Sequence, residues 1–121
     1  MAGGDLVRQA YEAFARSDIP AVLEVLADDV QWDVPELLPQ GGSFSGKEDV
    51  GRFFQRLGET YDDLSIDIHD LIDGDERVAG VGTGSGKLHD GKDIEYGFVH
   101  VFDVSDGKVT RFREYADRSV G

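Results

Sequence analysis

The sequence has no cysteine, few basic residues and no long hydrophobic run. The lack of cysteine excludes disulfides, thiolate nucleophiles and sulfur-ligated zinc, so any chemistry must come from oxygen and imidazole groups. The 12 basic residues stand against 25 acidic ones, and a formal net charge of −13 repels nucleic acid and anionic lipid. With no apolar segment of bilayer length and no secretory signal, we expect a cytoplasmic protein that binds neither nucleic acid nor membrane.

Length and charge pattern narrow the class of protein further. A chain of 121 residues can bury one core, so residues 1–121 are expected to form a single domain. The acidic residues are spread along the chain, which favours a solvated surface over a cation site. His69 and His89 fall in separate segments, and a transition-metal site needs several converging ligands. We therefore predict no metal and no cofactor.

The first half of the chain has mainly helical periodicity, and the second half alternates as strands do. The predicted early elements are a helix at 5–17, a helix from Asp18 to Ala27, a strand at 30–34 and a third helix from Ser45 or Gly46 to near Gly58. Four strands follow at 64–72, 77–88, 93–104 and 109–117. Asp-Gly pairs in the three connections indicate hairpins. The order predicts an α+β fold with helices on one face of a curved sheet.

Three segments carry a resemblance to a known superfamily: YEAFARSDIPAVLEVLADDVQWDVPE, GGSFSGKEDVGRFF and GFVHVFDVSDGKVTRFREYAD. They resemble the nuclear transport factor 2-like fold, in particular SnoaL-like polyketide cyclases, ketosteroid isomerases and limonene-epoxide hydrolase. The resemblance implies a cone-shaped α+β barrel, with three N-terminal helices packed on a strongly curved, mostly antiparallel sheet. It also implies an apolar pocket inside the cone and a homodimer across the outer sheet face.

Two titratable side chains are predicted on the inward face of the last two strands. In DIEYGFVHVFDV the even positions are apolar or aromatic except for His100 and the Tyr96 hydroxyl, so His100 needs a partner or a ligand. If Phe112 points inward, Glu114 does too, and the resemblance implies an acidic site residue near that position. His100 and Glu114 are the candidate catalytic pair and could share a proton near neutral pH. The alternatives are a structural histidine and an ion pair of Glu114 with a neighbouring arginine.

The resemblance also points to residues that are missing. The general base of ketosteroid isomerases is an aspartate two residues beyond the position of Trp32, where this chain has Val34, and Asp33 should face outward. Counting back along the sheet, limonene-epoxide hydrolase has an arginine and an aspartate where this chain has Val81 and Thr83. The isomerase base and the hydrolase pair are therefore expected to be absent.

Glycine occupies every second position in VAGVGTGSGK, at Gly80, Gly82, Gly84 and Gly86. The register taken from the resemblance places Val81, Thr83 and Ser85 toward the pocket and the glycines on the outer face, where they would favour a dimer contact. A one-residue bulge would reverse this arrangement, and the glycines would then enlarge the cavity.

Further pocket residues are candidates for contact with a flat apolar ligand, although aromatic residues at these spacings also serve as plain core. The candidates are Tyr11, Trp32, Phe54, Tyr96, Phe98 and Phe112. The predicted function is cofactor-independent acid–base chemistry of isomerase, cyclase or hydrolase type on a small hydrophobic carbonyl or polyketide-like compound. The alternative is a non-catalytic ligand-binding or dimerisation module of the same fold.

Overall fold

Two helices open the chain, and a third follows the first pair of strands in the computed structural model, which describes residues 3–117. The helices are α1 (Gly3–Ala15), α2 (Ile19–Glu24) and α3 (Lys47–Thr60). The apolar residues Leu6, Val7, Ala10 and Ala13 of α1 share one face and are buried, as the helical spacing predicts. Asp18 caps α2 by accepting a hydrogen bond from the Ala21 N–H at 3.2 Å. Among the described residues, no helix is both long and apolar enough to cross a bilayer.

Six strands of the described region form one sheet. They are β1 (Leu26–Val34), β2 (Gly42–Ser45), β3 (Tyr61–Asp73), β4 (Arg77–Leu88), β5 (Asp93–Ser105) and β6 (Lys108–Asp117). Their order across the sheet is β2-β1-β6-β5-β4-β3. The pair β1–β6 is parallel, and all other neighbours are antiparallel. The series of hairpins predicted from β3 to β6 is confirmed.

Several predicted elements differ from the structure in their bounds, and one strand was not predicted. The second helix ends at Glu24 instead of Ala27, because Leu26 already pairs with Val109 of β6. The segment between the predicted strand at 30–34 and the third helix contains the short strand β2, in which Phe44 packs on Phe53 of α3 with ring centroids 5.1 Å apart. The strand predicted at 64–72 begins three residues earlier, because Tyr61 of β3 already pairs with Leu88 of β4. Each difference depends on pairing with a distant strand, which a local periodicity does not report.

The helices cover the inner face of the sheet, and the core lies between them. Inward residues of β1, β5 and β6 are buried, while their neighbours along each strand are more exposed. The start of α1 is fixed to the β3–β4 turn, because the N–H groups of Gly3 and Gly4 donate to the carboxylates of Asp75 and Asp73, each at 3.2 Å. Two carboxylates also suit the positive end of the helix dipole. This anchor sets the position of α1, which carries Tyr11.

The glycines of β4 lie on the inner face, so the predicted outer placement of these residues was wrong. Gly80 pairs directly with His100, and Gly84 pairs directly with Tyr96. Directly opposed residues of neighbouring strands share a face, and Thr83 and Ser85 are exposed on the other side. A Cβ atom at Gly84 would overlap the Tyr96 ring. The glycine strip of β4, formed by Gly80, Gly82, Gly84 and Gly86, therefore gives bulky side chains room to lie against the sheet.

Candidate active site

The candidate site is built around His100 of β5 and Glu114 of β6, which are directly opposed in the sheet. Both side chains are buried, with 7 % of His100 and 9 % of Glu114 exposed. His100 Nε2 lies 3.4 Å from Glu114 Oε2. This distance suits an ion pair but is long for a hydrogen bond, and Oε2 makes no hydrogen bond to any described residue. Glu114 therefore has a buried carboxylate oxygen that lacks a hydrogen-bond donor among the described residues.

Tyr11 of α1 holds the other side of the imidazole. Its hydroxyl oxygen lies 2.8 Å from His100 Nδ1. Burial raises the pKa of Tyr11, and the nearby charge of Glu114 raises it further, so the hydroxyl keeps its proton. We therefore assign Tyr11 as the donor and Nδ1 as the acceptor, which leaves the proton of a neutral imidazole on Nε2, facing Glu114. Tyr11, His100 and Glu114 thus form a connected row of polar groups.

Aromatic rings surround this polar row. The Phe98 ring stacks on His100 with centroids 3.9 Å apart and planes 12° apart. Trp32 of β1 stacks on Phe112 of β6, with centroids 4.0 Å apart. Phe54 of α3 meets Trp32 edge to face at 5.7 Å. Because one face of Trp32 is covered by Phe112, a ligand meets this indole at its edge or at its other face.

A second polar group lies in the same wall and was missed by the sequence analysis. Gln40, in the loop after β1, is 2 % exposed and accepts a hydrogen bond from the Tyr61 hydroxyl at 2.7 Å. Burial raises the pKa of Tyr96, the charges of Glu114 and Tyr61 raise it further, and a hydrogen bond with Gln40 partly offsets them. No periodic pattern marks Gln40 in the sequence, because its side chain is turned inward by an irregular loop.

The side chains enclose an apolar cavity of about 80 Å³. An open groove of about 570 Å³ adjoins it between α1, α3 and the edge strand β3. The residues common to both are Tyr11, Phe14, Phe54, Leu57, Leu64 and Ile66. Sites for drug-sized ligands span roughly 300–1,000 Å³. The cavity as it stands suits about one ring, and a larger ligand would extend into the groove or displace wall side chains.

The structure brings together most of the residues singled out in the sequence. The cavity wall includes Tyr11, Trp32, Phe54, Tyr96, His100, Phe112 and Glu114. Phe98 lies behind His100 and supports its ring instead of lining the cavity. Tyr11 was a candidate for contact with a ligand, and its hydroxyl reaches His100 in the interior. The rest of the apolar wall comes from α1, α3 and β3.

The position of the isomerase base is occupied by an inward, buried valine. Val34 is 5 % exposed, while Asp33 points outward and lies 3.4 Å from Arg111. Residues 3–117 contain no group of three or more histidine and carboxylate side chains placed to bind a metal ion. Among the described cavity residues, the groups able to transfer a proton are therefore His100, Glu114 and tyrosine hydroxyls.

Six strands and the helices on their inner face form a fold that this chain shares with nuclear transport factor 2-like proteins. The chain belongs to the SnoaL-like domain family, whose model matches residues 7–112. No curated protein sequence is detectably similar to it.

Solved structures show the same fold over nearly the whole chain. A nuclear transport factor 2-like protein from Burkholderia thailandensis is 29 % identical with a TM-score of 0.92, covering 98 % of this chain and 92 % of that one. A proposed polyketide cyclase from Xanthomonas campestris pv. campestris is 29 % identical with a TM-score of 0.76, covering 93 % and 88 %. TerC, co-crystallised with polyporic acid, is 25 % identical with a TM-score of 0.83, covering 93 % and 89 %.

Proposed function

We propose that this protein catalyses cofactor-independent proton transfer on a small hydrophobic carbonyl compound of polyketide-like type. The observation that carries the proposal is the buried pair of His100 and Glu114, 3.4 Å apart in the wall of an apolar cavity. Paired titratable groups in an apolar cleft are a common feature of acid–base sites. The likeness to TerC and to a proposed polyketide cyclase supports this class of ligand.

Glu114 is the proposed base. Its Oε2 atom accepts the proton from the carbon next to the carbonyl, and the C–H electron pair moves into the enolate. His100 lies beside this carboxylate, and the hydrogen bond from Tyr11 fixes the orientation of its ring. The proton on His100 Nε2 faces Glu114 and can shift toward or away from it as the charge of Glu114 changes during the reaction. Return of the proton from Glu114 to the same or another carbon completes an isomerisation. In a cyclisation the enolate carbon attacks a second carbonyl, whose π electrons move to its oxygen, and Glu114 returns the proton to the resulting alkoxide. Proton transfer of this kind contributes about 10²–10⁴-fold in rate.

Deuterium exchange into 2-indanone tests the proposal. This ketone is flat and has a benzene ring fused to a five-membered ring, so part of it would extend from the cavity into the adjoining groove. It enolises at the carbons between the benzene ring and the carbonyl. In D₂O, wild-type protein should incorporate deuterium faster than buffer alone. Glu114→Gln should reduce the protein-dependent rate by about 10²-fold or more. Glu95→Gln is the matched control, because Glu95 is an exposed carboxylate on β5.

A control that loses as much activity as Glu114→Gln would show that the loss reflects general damage. Exchange by wild-type protein no faster than in buffer would reject the proposal for this class of ketone.

The second candidate function is a non-catalytic module that binds an apolar ligand. Val34 favours it, because the site lacks a carboxylate where the isomerases of this fold have their base. Measuring both the binding of 2-indanone and its deuterium exchange distinguishes a catalyst from a binding module. If 2-indanone binds but gains no deuterium, the protein is a binding module. If Val34→Asp then restores exchange, the pocket lacked only its base.

A further inference from the structure

The indole nitrogen of Trp32 is a buried donor that makes no hydrogen bond within residues 3–117. Trp32 is 6 % exposed and forms part of the cavity wall. A buried N–H group without an acceptor costs about 1–3 kcal/mol, so native proteins leave few of them. Phe112, Phe53 and Phe54 pack around this indole, and their rings offer no oxygen acceptor. Because Trp32 lines the cavity, a ligand bound there is a source of the missing acceptor.

The second unpartnered polar atom of the cavity wall is Glu114 Oε2. Trp32 pairs with Phe112, and Asp33 pairs with Arg113, so Glu114 lies level with Val34, one inward position beyond Trp32. Strand spacing and rise place the Trp32 and Glu114 backbones roughly 8 Å apart. Both side chains line the same cavity from neighbouring strands.

We propose that Trp32 Nε1–H is the hydrogen-bond donor that holds the carbonyl oxygen of the ligand. The inference deepens the proposed function, since it concerns the same cavity and identifies the group that recognises the carbonyl. It makes the ligand a flat ring ketone or enol whose oxygen meets the indole edge while the adjacent carbon faces Glu114. A hydrocarbon of the same shape fits the apolar wall but leaves the N–H unpaired.

The chain offers an unusually simple test, because Trp32 is its one tryptophan. In ¹⁵N-labelled protein the indole side chain gives a single N–H signal that needs no assignment. The probes are 2-indanone and indane, which share a shape and an aromatic ring and differ in the carbonyl. We expect 2-indanone to move the indole proton downfield. Indane should produce only the shift caused by its ring.

A variant gives an independent readout. Trp32→Phe keeps an aromatic ring in the wall and removes the N–H group. It should weaken binding of 2-indanone by about 2- to 10-fold, the range of a typical hydrogen bond, and leave indane affinity close to wild type. Ligand-observed NMR measures both affinities. A structural role alone would weaken both ligands equally.

The proposal is overturned if 2-indanone fails to move the indole signal, whether it stays outside the cavity or binds away from the N–H. Equal shifts from the two ligands also overturn it, since the carbonyl then has no effect. These outcomes are separate from failure of the proposed catalysis. An indole shift without deuterium exchange retains the carbonyl contact and rejects proton transfer, and exchange without the shift does the reverse.

Discussion

At the scale of single residues, the sequence predicted the site positions of His100 and Glu114, and it predicted that of Tyr11 only in part. His100 and Glu114 stand at inward positions on two strands joined by an Asp-Gly turn, and alternation places them on one face. The hydrogen bond from Tyr11 depends on how α1 crosses the sheet, which periodicity does not specify. Gln40 left no signal, because irregular loops have no repeating inward direction.

The raised pKa values of the buried tyrosines predict a loss of stability in alkali. Burial raises the pKa of Tyr11 and Tyr96, so both bind a proton more tightly in the folded protein than in the unfolded chain. Their contribution is complete below about pH 10 and is lost above it, by about 1.4 kcal/mol per pH unit for each tyrosine. Urea unfolding between about pH 8 and about pH 11 should show a smaller decline in Tyr11→Phe than in wild type. Equal declines would mean that the Tyr11 hydroxyl ionises as readily in the fold as in the unfolded chain.

At the scale of elements, the glycine strip of β4 shows why a strand can be predicted while its orientation is not. Alternation established the strand, but both faces carry small residues, so composition could not say which face is inward. The register of the hairpin between β4 and β5 decides which face of β4 is inward. Its centre lies at Asp90, with Lys87 opposite Asp93, and this register pairs even-numbered residues with even-numbered ones. Gly80 therefore had to share a face with His100.

The strip predicts opposite effects for two glycine substitutions. Gly84→Ala forces a methyl group against the Tyr96 ring and should lower the free energy of unfolding by about 1–3 kcal/mol, the usual cost of overpacking. Gly97→Ala is the matched control on β5, because a Cβ there meets no described atom within 4 Å. It should be neutral or stabilising by up to about 1 kcal/mol. Urea unfolding measures both, and equal effects of the two substitutions would show that the strip does not accommodate Tyr96.

At the scale of the whole molecule, the homodimer expected from the family stays a prediction. The outer face of the central strands carries Ala79, Val81, Val99, Val101 and Tyr115. Tyr115 is 56 % exposed, and the valines are half-buried. Asp103 flanks this patch in ion pairs with Arg77 at 2.9 Å and Arg113 at 3.5 Å. An apolar centre with a charged rim is typical of an interface.

Sedimentation tests this interface. Wild-type protein should sediment as a dimer, and Val99→Glu as a monomer, because the substitution places a charge at the centre of the patch. Added salt should strengthen association, since each chain carries a formal net charge of −13. Glu95→Gln, at an exposed position of the same strand, should leave the dimer intact. A wild-type monomer at all concentrations and salt levels would remove the outer face as a dimer contact.

The central claim is that His100 and Glu114 act as one unit in the cavity. The most direct measurement is a double-mutant cycle on deuterium exchange into 2-indanone, with His100→Gln, Glu114→Gln and the combined variant. Residues that act as a unit are strongly non-additive, so the combined variant should exchange within about twofold of the slower single variant. Losses that multiply in the combined variant, or a single variant with the wild-type rate, would contradict the claim.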